Sequence, residues 1–132
     1  MREIRLRSDR RTQLIEITRD VEAALAGSGA ASAALVFVPH TTAGLTINEH
    51  ADPAVARDFE SALERIVGDE WAWQHVEAGE ENAPSHVRAG LMNAQLVVPL
   101  RDGQLALGTW QGLFFCEFDG PRERRVYVTA LG

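Results

Sequence analysis

The sequence GTWQGLFFCEFDGPR, residues 108–122, has the composition of a buried strand that is interrupted by Gln111 and Glu117. An earlier segment, HTTAGLTIN, residues 40–48, places an imidazole, two hydroxyls and a carboxamide around a shorter apolar run. Polar groups are costly to bury unless they have partners or a function. The two segments therefore predict one shared polar site in a protein built largely of strands.

Length and charge limit the class of protein. The chain has 132 residues, 45% of them hydrophobic, which fits one domain with a real core. A net charge of -6 argues against general nucleic-acid or anionic-membrane binding, but it permits a small anionic substrate. All 13 basic residues are arginine, which excludes Schiff-base chemistry on lysine. With one cysteine, no bilayer-length apolar run and no signal-peptide core, a cytoplasmic protein without an internal disulfide is expected.

The hydrophobic pattern predicts an α+β fold in which a mostly antiparallel, twisted sheet carries helices on one face. A hairpin of strands 3–7 and 12–18 is expected to open the chain, and the apolar run 33–38 predicts a buried central strand. Helices are expected at 20–26, after Asp52-Pro53, and from Asn82 to about residue 93. A long acidic loop, 71–81, precedes the last helix, and further strands are predicted at 45–48, 96–100, 105–107, 112–118 and 124–131.

Three histidines come from separate segments of the chain. His40 follows a strand end, where scaffolds often present reactive groups. His86 lies in the first turn of a helix opened by Pro84, which suits an anion, and His75 lies in the acidic loop. Together they resemble a three-imidazole zinc or iron site, although they lack the short ligand spacing of a zinc finger. Neutral imidazoles would hold a metal, protonated ones an anion, and purely structural hydrogen-bonding roles stay open.

Several other polar residues have both a structural and a functional interpretation. Glu49 is a candidate general acid or base or metal ligand, whereas Asp52 is expected to cap a helix. Glu117 needs a partner, which the sequence leaves open as an arginine, a metal or a neighbouring subunit. Cys116 is assigned to the core, and His50 is expected to face solvent.

Two further side chains are candidates for contacts with substrate. Trp110 lies between Gly108 and Gly112 and can line a pocket or belong to the core. Arg88, in the helix of His86, is a candidate phosphate clamp or a solvated helix residue.

The segments HTTAGLTINEHADP, ENAPSH and LALGTWQGLFFCEFDGPRERRV resemble the YjbQ-like family, whose members are called secondary thiamine-phosphate synthases. The resemblance covers nearly the whole chain, and its motifs rarely occur together by chance. It implies one compact α+β domain over residues 1–132, assembled as a homotrimer with a site near the subunit interface. It also implies a weak or side activity that joins hydroxymethylpyrimidine diphosphate to thiazole phosphate.

The family pattern can be followed residue by residue, and His50 and Glu81 depart from it where relatives carry asparagine and glycine. With the resemblance, the candidate catalytic residues are His40, Thr41, Thr42, Asn48, Glu49 and Glu117. The candidate substrate-binding residues are Asn82, Arg88, Trp110 and Gln111. The candidate ligands of a divalent metal, zinc or magnesium, are His40, His75 and His86. The pattern also falls on Asp52 and Asp119.

Three functional hypotheses follow. The first is the synthase-like transferase, acting on a small phosphorylated substrate. The second is a metal-dependent hydrolase in which Glu49 or Glu117 activates water. The third is a ligand- or metal-binding trimer without turnover. Self-association is expected because Gln111 and Glu117, on a largely apolar strand, are easier to satisfy across an interface than inside a small monomer.

Overall fold

A computed structural model describes residues 1–77 and 79–132. Ala78, within the predicted acidic loop, lies outside the described residues. The described part contains eight strands and three helices in the order β1 (Arg2–Arg7), β2 (Gln13–Glu16), α1 (Thr18–Ala24), β3 (Ala33–Phe37), β4 (Ala43–Glu49), α2 (Pro53–Ile66), α3 (Ala83–Leu91), β5 (Gln95–Arg101), β6 (Gln104–Leu105), β7 (Gln111–Glu117) and β8 (Glu123–Leu131).

The strands form two antiparallel sheets. The larger has the order β1-β8-β3-β5-β6 and the smaller has the order β2-β7-β4. One apolar cluster joins both sheets: it includes Val36, Val98 and Val128 from the larger sheet and Leu113 and Phe115 from the smaller one. The helix α1 contributes to the same cluster. Burial between the sheets therefore supplies the main hydrophobic stabilisation of the fold.

A second apolar cluster lies on the opposite face of β7. Cys116 and Phe118 pack there with Leu63 of α2 and Ala89 of α3. Successive strand side chains point to opposite faces, so both faces of β7 are buried, and this explains its continuous apolar run. The predicted α+β fold is confirmed: α2 and α3 pack on one face of the smaller sheet, and Cys116 is fully buried as expected.

The predicted opening hairpin is wrong. β1 pairs with β8 in the larger sheet, whereas β2 pairs with β7 in the smaller sheet. The connecting segment crosses between the sheets and is held by the turn before β8, since Ser8 N donates to Arg122 O at 3.0 Å and Gly120 N donates to Arg11 O at 3.1 Å. Turn-forming residues at 8–10 therefore mark a change of sheet rather than a hairpin.

The predicted element boundaries are otherwise close to the observed ones. Asp52 caps α2, because its side chain accepts a hydrogen bond from Ala54 N at 2.9 Å, and Pro53 opens the helix. Asp102 and Gly103 form the tight turn between β5 and β6 with φ values of 53° and 79°, the left-handed geometry that such hairpins favour. Among the described residues, no helix combines the length and apolar character that a membrane crossing requires.

Candidate functional site

The predicted site residues lie at the two ends of β7 rather than at one place. Gln111 begins the strand opposite Glu49, and Glu117 ends it opposite Ala43. Six residue steps of about 3.4 Å put these ends roughly 20 Å apart. The expected shared site is therefore divided: Gln111 lies at the opposite end of β7 from Glu117, because the strand is extended and separates its two polar residues.

The three histidines do lie close together, at the Glu117 end of β7. A cavity of about 440 Å³ is lined by His40, His75 and His86, which come from the segment between β3 and β4, the loop before α3 and the first turns of α3. We call this the histidine cavity. Its wall also includes Thr41, Thr42, Asn82, Arg122 and Arg124.

His40 has a structural task besides its place in the cavity. β3 ends at Phe37, three residues before His40, and His40 Nε2 accepts a hydrogen bond from the backbone N–H of Arg125 at 2.9 Å. The imidazole thus supplies the acceptor that β3 no longer offers to β8. Because Nε2 accepts, the neutral ring carries its proton on Nδ1. Burial, with help from the charges of Arg124 and Arg125, lowers the pKa of His40 and favours this neutral form.

A chain of hydrogen bonds orients His75. Its Nε2 lies 3.1 Å from Asn82 Oδ1, and Asn82 Nδ2 donates to Asp119 Oδ2 at 2.8 Å. Asp119 is paired with Arg122 at 2.9 Å. An ionised carboxylate only accepts, so Asn82 turns its amide N–H to Asp119 and its oxygen to His75. In its neutral form, His75 therefore carries its proton on Nε2, and its Nδ1 holds the lone pair. The His75 and His86 rings meet edge-on, with their centroids 5.2 Å apart.

Glu117 is held in a buried ion pair. Arg124 donates to both carboxylate oxygens, and Ser8 Oγ donates to Oε1 at 2.7 Å. Burial alone would raise the pKa of Glu117, but the hydrogen bonds from Arg124, Ser8 and the backbone N–H of Asp119 outweigh it and hold the pKa below its ordinary value. Of the partners that the sequence left open, the structure selects an arginine. The satisfied carboxylate removes the reason for expecting an interface at Glu117.

The two threonines beside His40 differ in their surroundings. Thr42 is buried, and its Oγ1 accepts a hydrogen bond from Arg124 Nη2 at 2.7 Å. Thr41 is exposed at the mouth of the cavity. Thr42 therefore supports the Glu117–Arg124 pair, whereas Thr41 is an exposed residue of the cavity wall.

At the far end of β7 lie the other predicted residues. Asn48 Oδ1 accepts from Glu49 N at 2.8 Å, and Gln111 Oε1 accepts from Gly108 N at 2.9 Å, so both amides stabilise local backbone. Trp110 is 64% exposed and is not a core residue. Glu49 lines a separate cavity with His50, which is exposed as expected and contacts Glu16 Oε2 through Nδ1 at 2.8 Å.

Arg88 is neither a phosphate clamp nor a solvated residue. It is 1% exposed, and its Nη2 donates to Val67 O at 2.6 Å and to Asp69 Oδ1 at 3.2 Å, past the end of α2. Residues two apart on a helix are separated by about 200° around its axis. Arg88 therefore points away from the cavity into which His86 faces, and it stabilises the carbonyl end of α2 instead.

The histidines of the cavity supply only some of the ligands that a divalent metal requires. Across residues 1–77 and 79–132, no group of three or more histidine, cysteine, aspartate or glutamate side chains is arranged to hold a metal ion. His40 Nε2 is occupied by the Arg125 N–H, which leaves the neighbouring rings of His75 and His86 as the available imidazole ligands. A metal here would take its remaining ligands from substrate oxygens or water.

A cluster of arginines beside His40 was not predicted. A second cavity, of about 670 Å³, is lined by Arg5, Arg7 and Arg125 together with Leu6, His40, Glu123 and Arg124. We call it the arginine cleft, and it shares His40 and Arg124 with the histidine cavity. The sequence signal for this cluster is the alternating segment REIRLR of β1, residues 2–7. Only the pairing of β1 with β8 brings these arginines next to those of RERR, residues 122–125.

These features define a class: a small α+β protein of two antiparallel sheets with a histidine- and arginine-lined site at one end of the smaller sheet. The family described as "UPF0047 protein YjbQ-like" matches residues 2–132. The chain belongs to this family.

Relatives support this assignment over the full length. The UPF0047 protein YugU of Bacillus subtilis is 41% identical over 135 residues, covering 100% of this chain and 99% of the relative. A UPF0047 protein of Methanocaldococcus jannaschii is 39% identical, covering 96% of this chain and 91% of the relative. A yjbq/upf0047 family protein from Clostridium acetobutylicum, whose crystal structure is known, is 42% identical in sequence. Its structure superposes with a TM-score of 0.93 and covers 99% of this chain and 100% of that chain. A protein of unknown function from Sulfolobus solfataricus is 33% identical with a TM-score of 0.90, covering 99% and 95%.

Proposed function

We propose that the chain is a thiamine-phosphate synthase-like transferase and that the histidine cavity is its active site. The observation that carries the proposal is the meeting of His40, His75 and His86 with Arg122 in one cavity. The resemblance of the sequence to the secondary thiamine-phosphate synthases supplies the reaction. The substrates would be hydroxymethylpyrimidine diphosphate and thiazole phosphate.

The reaction needs little proton transfer. The bond between the pyrimidine methylene carbon and the diphosphate oxygen breaks, and its electron pair leaves with pyrophosphate. The thiazole nitrogen lone pair then forms the new carbon–nitrogen bond. Hydrogen-bond donors that face the leaving oxygens lower the barrier most, and this role falls to the Nδ1–H of His40 and the guanidinium of Arg122. Asn82 acts as a positioning residue through His75.

A divalent metal, magnesium or zinc, is part of the proposal. Glu80, Asp119 and Glu117 lie in or beside the cavity wall, so the arginines there are largely compensated. When bound, a divalent ion neutralises diphosphate charge. His75 and His86 would hold it, with water and phosphate oxygens as further ligands.

Self-association as a homotrimer is also proposed. On the outer face of the larger sheet, Phe37 is 37% exposed, Val97 61% and Leu131 37%, and Tyr127 stacks on Phe37 at 6.5 Å between ring centroids. Contiguous exposed apolar side chains are typical of interaction surfaces. The number three comes from the resemblance, and the cytoplasmic location stays a prediction from the sequence.

The test is turnover by the purified protein. We expect thiamine phosphate to form from the two substrates with added Mg²⁺, and we expect chelation by EDTA to remove the activity. His50→Ala is the matched control, because His50 lies at the other end of β7. Soluble wild-type protein that gives no product with Mg²⁺, Zn²⁺ or Mn²⁺ overturns the proposal. Hydrolysis of the diphosphate alone would favour the hydrolase, and metal or phosphate binding without turnover would favour the binding protein.

A further inference from the structure

The pairing of β1 with β8 sets two arginines directly opposite each other. Arg5 faces Arg125 in the register, and Arg7 faces Glu123 two residues further on. Directly opposed residues of an antiparallel pair share a sheet face, and like charges in such pairs are destabilising. A chain with a net charge of -6 thus concentrates positive charge at one point of its surface.

The carboxylates nearby compensate these arginines incompletely. Glu3 serves both Arg5, at 2.9 Å, and Arg125, at 3.7 Å. Glu123 lies 3.9 Å from Arg7. Glu3 and Glu123 therefore face three guanidinium groups that are at least half exposed, with relative exposures of 84%, 64% and 50%. Exposed pairs of this kind are weak and their guanidinium groups can exchange partners.

The wall of the cleft adds a neutral hydrogen-bond donor. His40 lines the cleft, and because its Nε2 accepts from Arg125 N, its Nδ1 carries the proton. Arg124 lines the cleft as well, but its guanidinium belongs to Glu117. Arg125 is steadied by Tyr127, whose ring centroid lies 5.9 Å from the guanidinium carbon. The cleft therefore combines the planar guanidinium groups of three arginines with the Nδ1–H donor of His40.

We propose that the arginine cleft binds the phosphate group of a small molecule, with Arg5, Arg7 and Arg125 contacting its oxygens and His40 donating from Nδ1. Guanidinium groups match the geometry of phosphate oxygens in bidentate contacts. A bound phosphate relieves the opposition of Arg5 and Arg125, which share Glu3 as an ion-pair partner. The ligand is a small phosphate ester or diphosphate, since the charge of the whole chain disfavours a polyanion.

Phosphate binding in the arginine cleft does not depend on the proposed reaction. The cleft shares His40 with the histidine cavity, so a molecule spanning both can place one phosphate group in the cleft and the rest of the molecule in the histidine cavity. A phosphate site also serves a hydrolase or a binding protein. Loss of the transferase proposal would therefore leave the cleft intact as a binding site.

The experiment is a titration of the full chain at constant ionic strength with inorganic phosphate, pyrophosphate and thiazole phosphate, followed by calorimetry and by NMR of His40. We expect saturable binding, with an upward shift in the pKa of His40 as the anion binds. The double variant Arg5→Gln/Arg125→Gln should bind at least tenfold more weakly. Arg101→Gln, which removes an exposed arginine on β5, should bind like wild type.

The three ligands identify the source of the phosphate. Preference for pyrophosphate assigns the cleft to a diphosphate, and preference for thiazole phosphate assigns it to a monoester. Melting curves of both variants should match that of wild type, since Arg5 and Arg125 are exposed. Equal affinity in the double variant and in Arg101→Gln, or an absence of saturable binding at millimolar ligand, overturns the proposal whether or not the protein makes thiamine phosphate.

Discussion

Glu117 and Arg124 form an ion pair across β7 and β8 in which the two side chains are 0% and 3% exposed. The pair joins the smaller sheet to the larger one, because β7 and β8 belong to different sheets. Thr42 and Ser8 complete its hydrogen bonds. Removing one partner of a buried ion pair leaves the other charge uncompensated, which is strongly destabilising, so the pair anchors the wall of the histidine cavity.

We expect Glu117→Gln to destabilise the protein by about 3–5 kcal/mol, because it leaves Arg124 buried and unpaired. The measurement is chemical denaturation at neutral pH. Glu3→Gln, in an exposed pair, is the control and should change stability by less than about 1 kcal/mol. The double change Glu117→Leu/Arg124→Leu should recover part of the loss, and an equal or larger loss would contradict this account.

The Glu117–Arg124 pair should also make the stability of the fold depend on pH in the acid range. The pKa of Glu117 lies below its ordinary value in the folded protein, so the carboxylate stabilises the fold above the unfolded pKa. That stabilisation is lost as the pH falls through the folded pKa, because the unfolded state binds the proton first. Denaturation curves at stepwise lower pH should show a decline in wild type that is smaller in the Leu/Leu double variant.

His40 should add a second pH dependence of stability, which arises from burial of an imidazole rather than from hydrogen bonds to a carboxylate. Burial lowers its pKa in the folded state, so the unfolded chain takes up a proton at a higher pH than the folded chain does. Stability should therefore fall as the pH drops below the ordinary histidine value of about 6.5. NMR titration of His40 should give a pKa below that value, and His40→Gln should remove this part of the pH dependence of unfolding.

Several strands are predictable because their burial leaves a local signature. The run 33–38 is apolar since β3 lies between β8 and β5, and 112–118 is apolar since both faces of β7 are covered. The pairing of β1 with β8 has no local signature, because turn-forming residues at 8–10 look the same before a hairpin and before a change of sheet. The opening hairpin is the resulting error.

In the site, too, some features have a local sequence signature and others depend on long-range strand pairing. Histidines outside the apolar periodicity can be recognised as candidates from the sequence, and the fold places His40, His75 and His86 along one cavity. The sequence wrongly places Arg88 beside His86 because the two residues are close along the chain. On a helix, residues two apart point in different directions. The arginine cleft depends on the β1–β8 register, which joins residues about 120 positions apart, and no composition argument reveals it.

The orientation of His75 gives a spectroscopic prediction. In wild type, the ¹⁵N shifts of His75 should indicate a proton on Nε2, because Asn82 Oδ1 accepts from it. Asp119→Ala should free the Asn82 amide to turn and should produce a mixture of tautomers. Asp52→Ala, which removes only a helix cap, is the control. An unchanged tautomer in Asp119→Ala would show that Asp119 does not position His75.

The apolar part of the outer face of the larger sheet, formed by Phe37, Val97 and Leu131, should govern self-association. Light scattering coupled to size exclusion is expected to give a trimer mass at micromolar protein, and Val97→Arg should reduce it to a monomer by placing a charge on the exposed apolar face. Ile66→Arg, on an exposed position of α2 outside this face, is the matched control. A monomer mass for wild type, or a trimer that tolerates Val97→Arg, contradicts the assignment.

Activity should depend on the histidines of the cavity. If the histidine cavity catalyses thiamine-phosphate formation, His40→Ala and His86→Ala should each abolish it in practice, since loss of one well-placed donor or ligand typically costs about 100- to 1000-fold in rate. His40→Ala should also cost about 1 kcal/mol, because Arg125 N loses its acceptor. Cys116→Ser should stay active but less stable, since burial raises the pKa of the Cys116 thiol and keeps it protonated within the core.

Rescue of a thiamine-requiring bacterial strain distinguishes these outcomes, with melting curves of each purified variant to separate lost activity from lost folding. His50→Ala should rescue like wild type, because His50 faces the other cavity. Rescue by His86→Ala would show that the activity does not use the histidine cavity. Loss of rescue by a folded Cys116→Ser protein would show that the thiol takes part in the chemistry, against its burial between β7 and the helices α2 and α3.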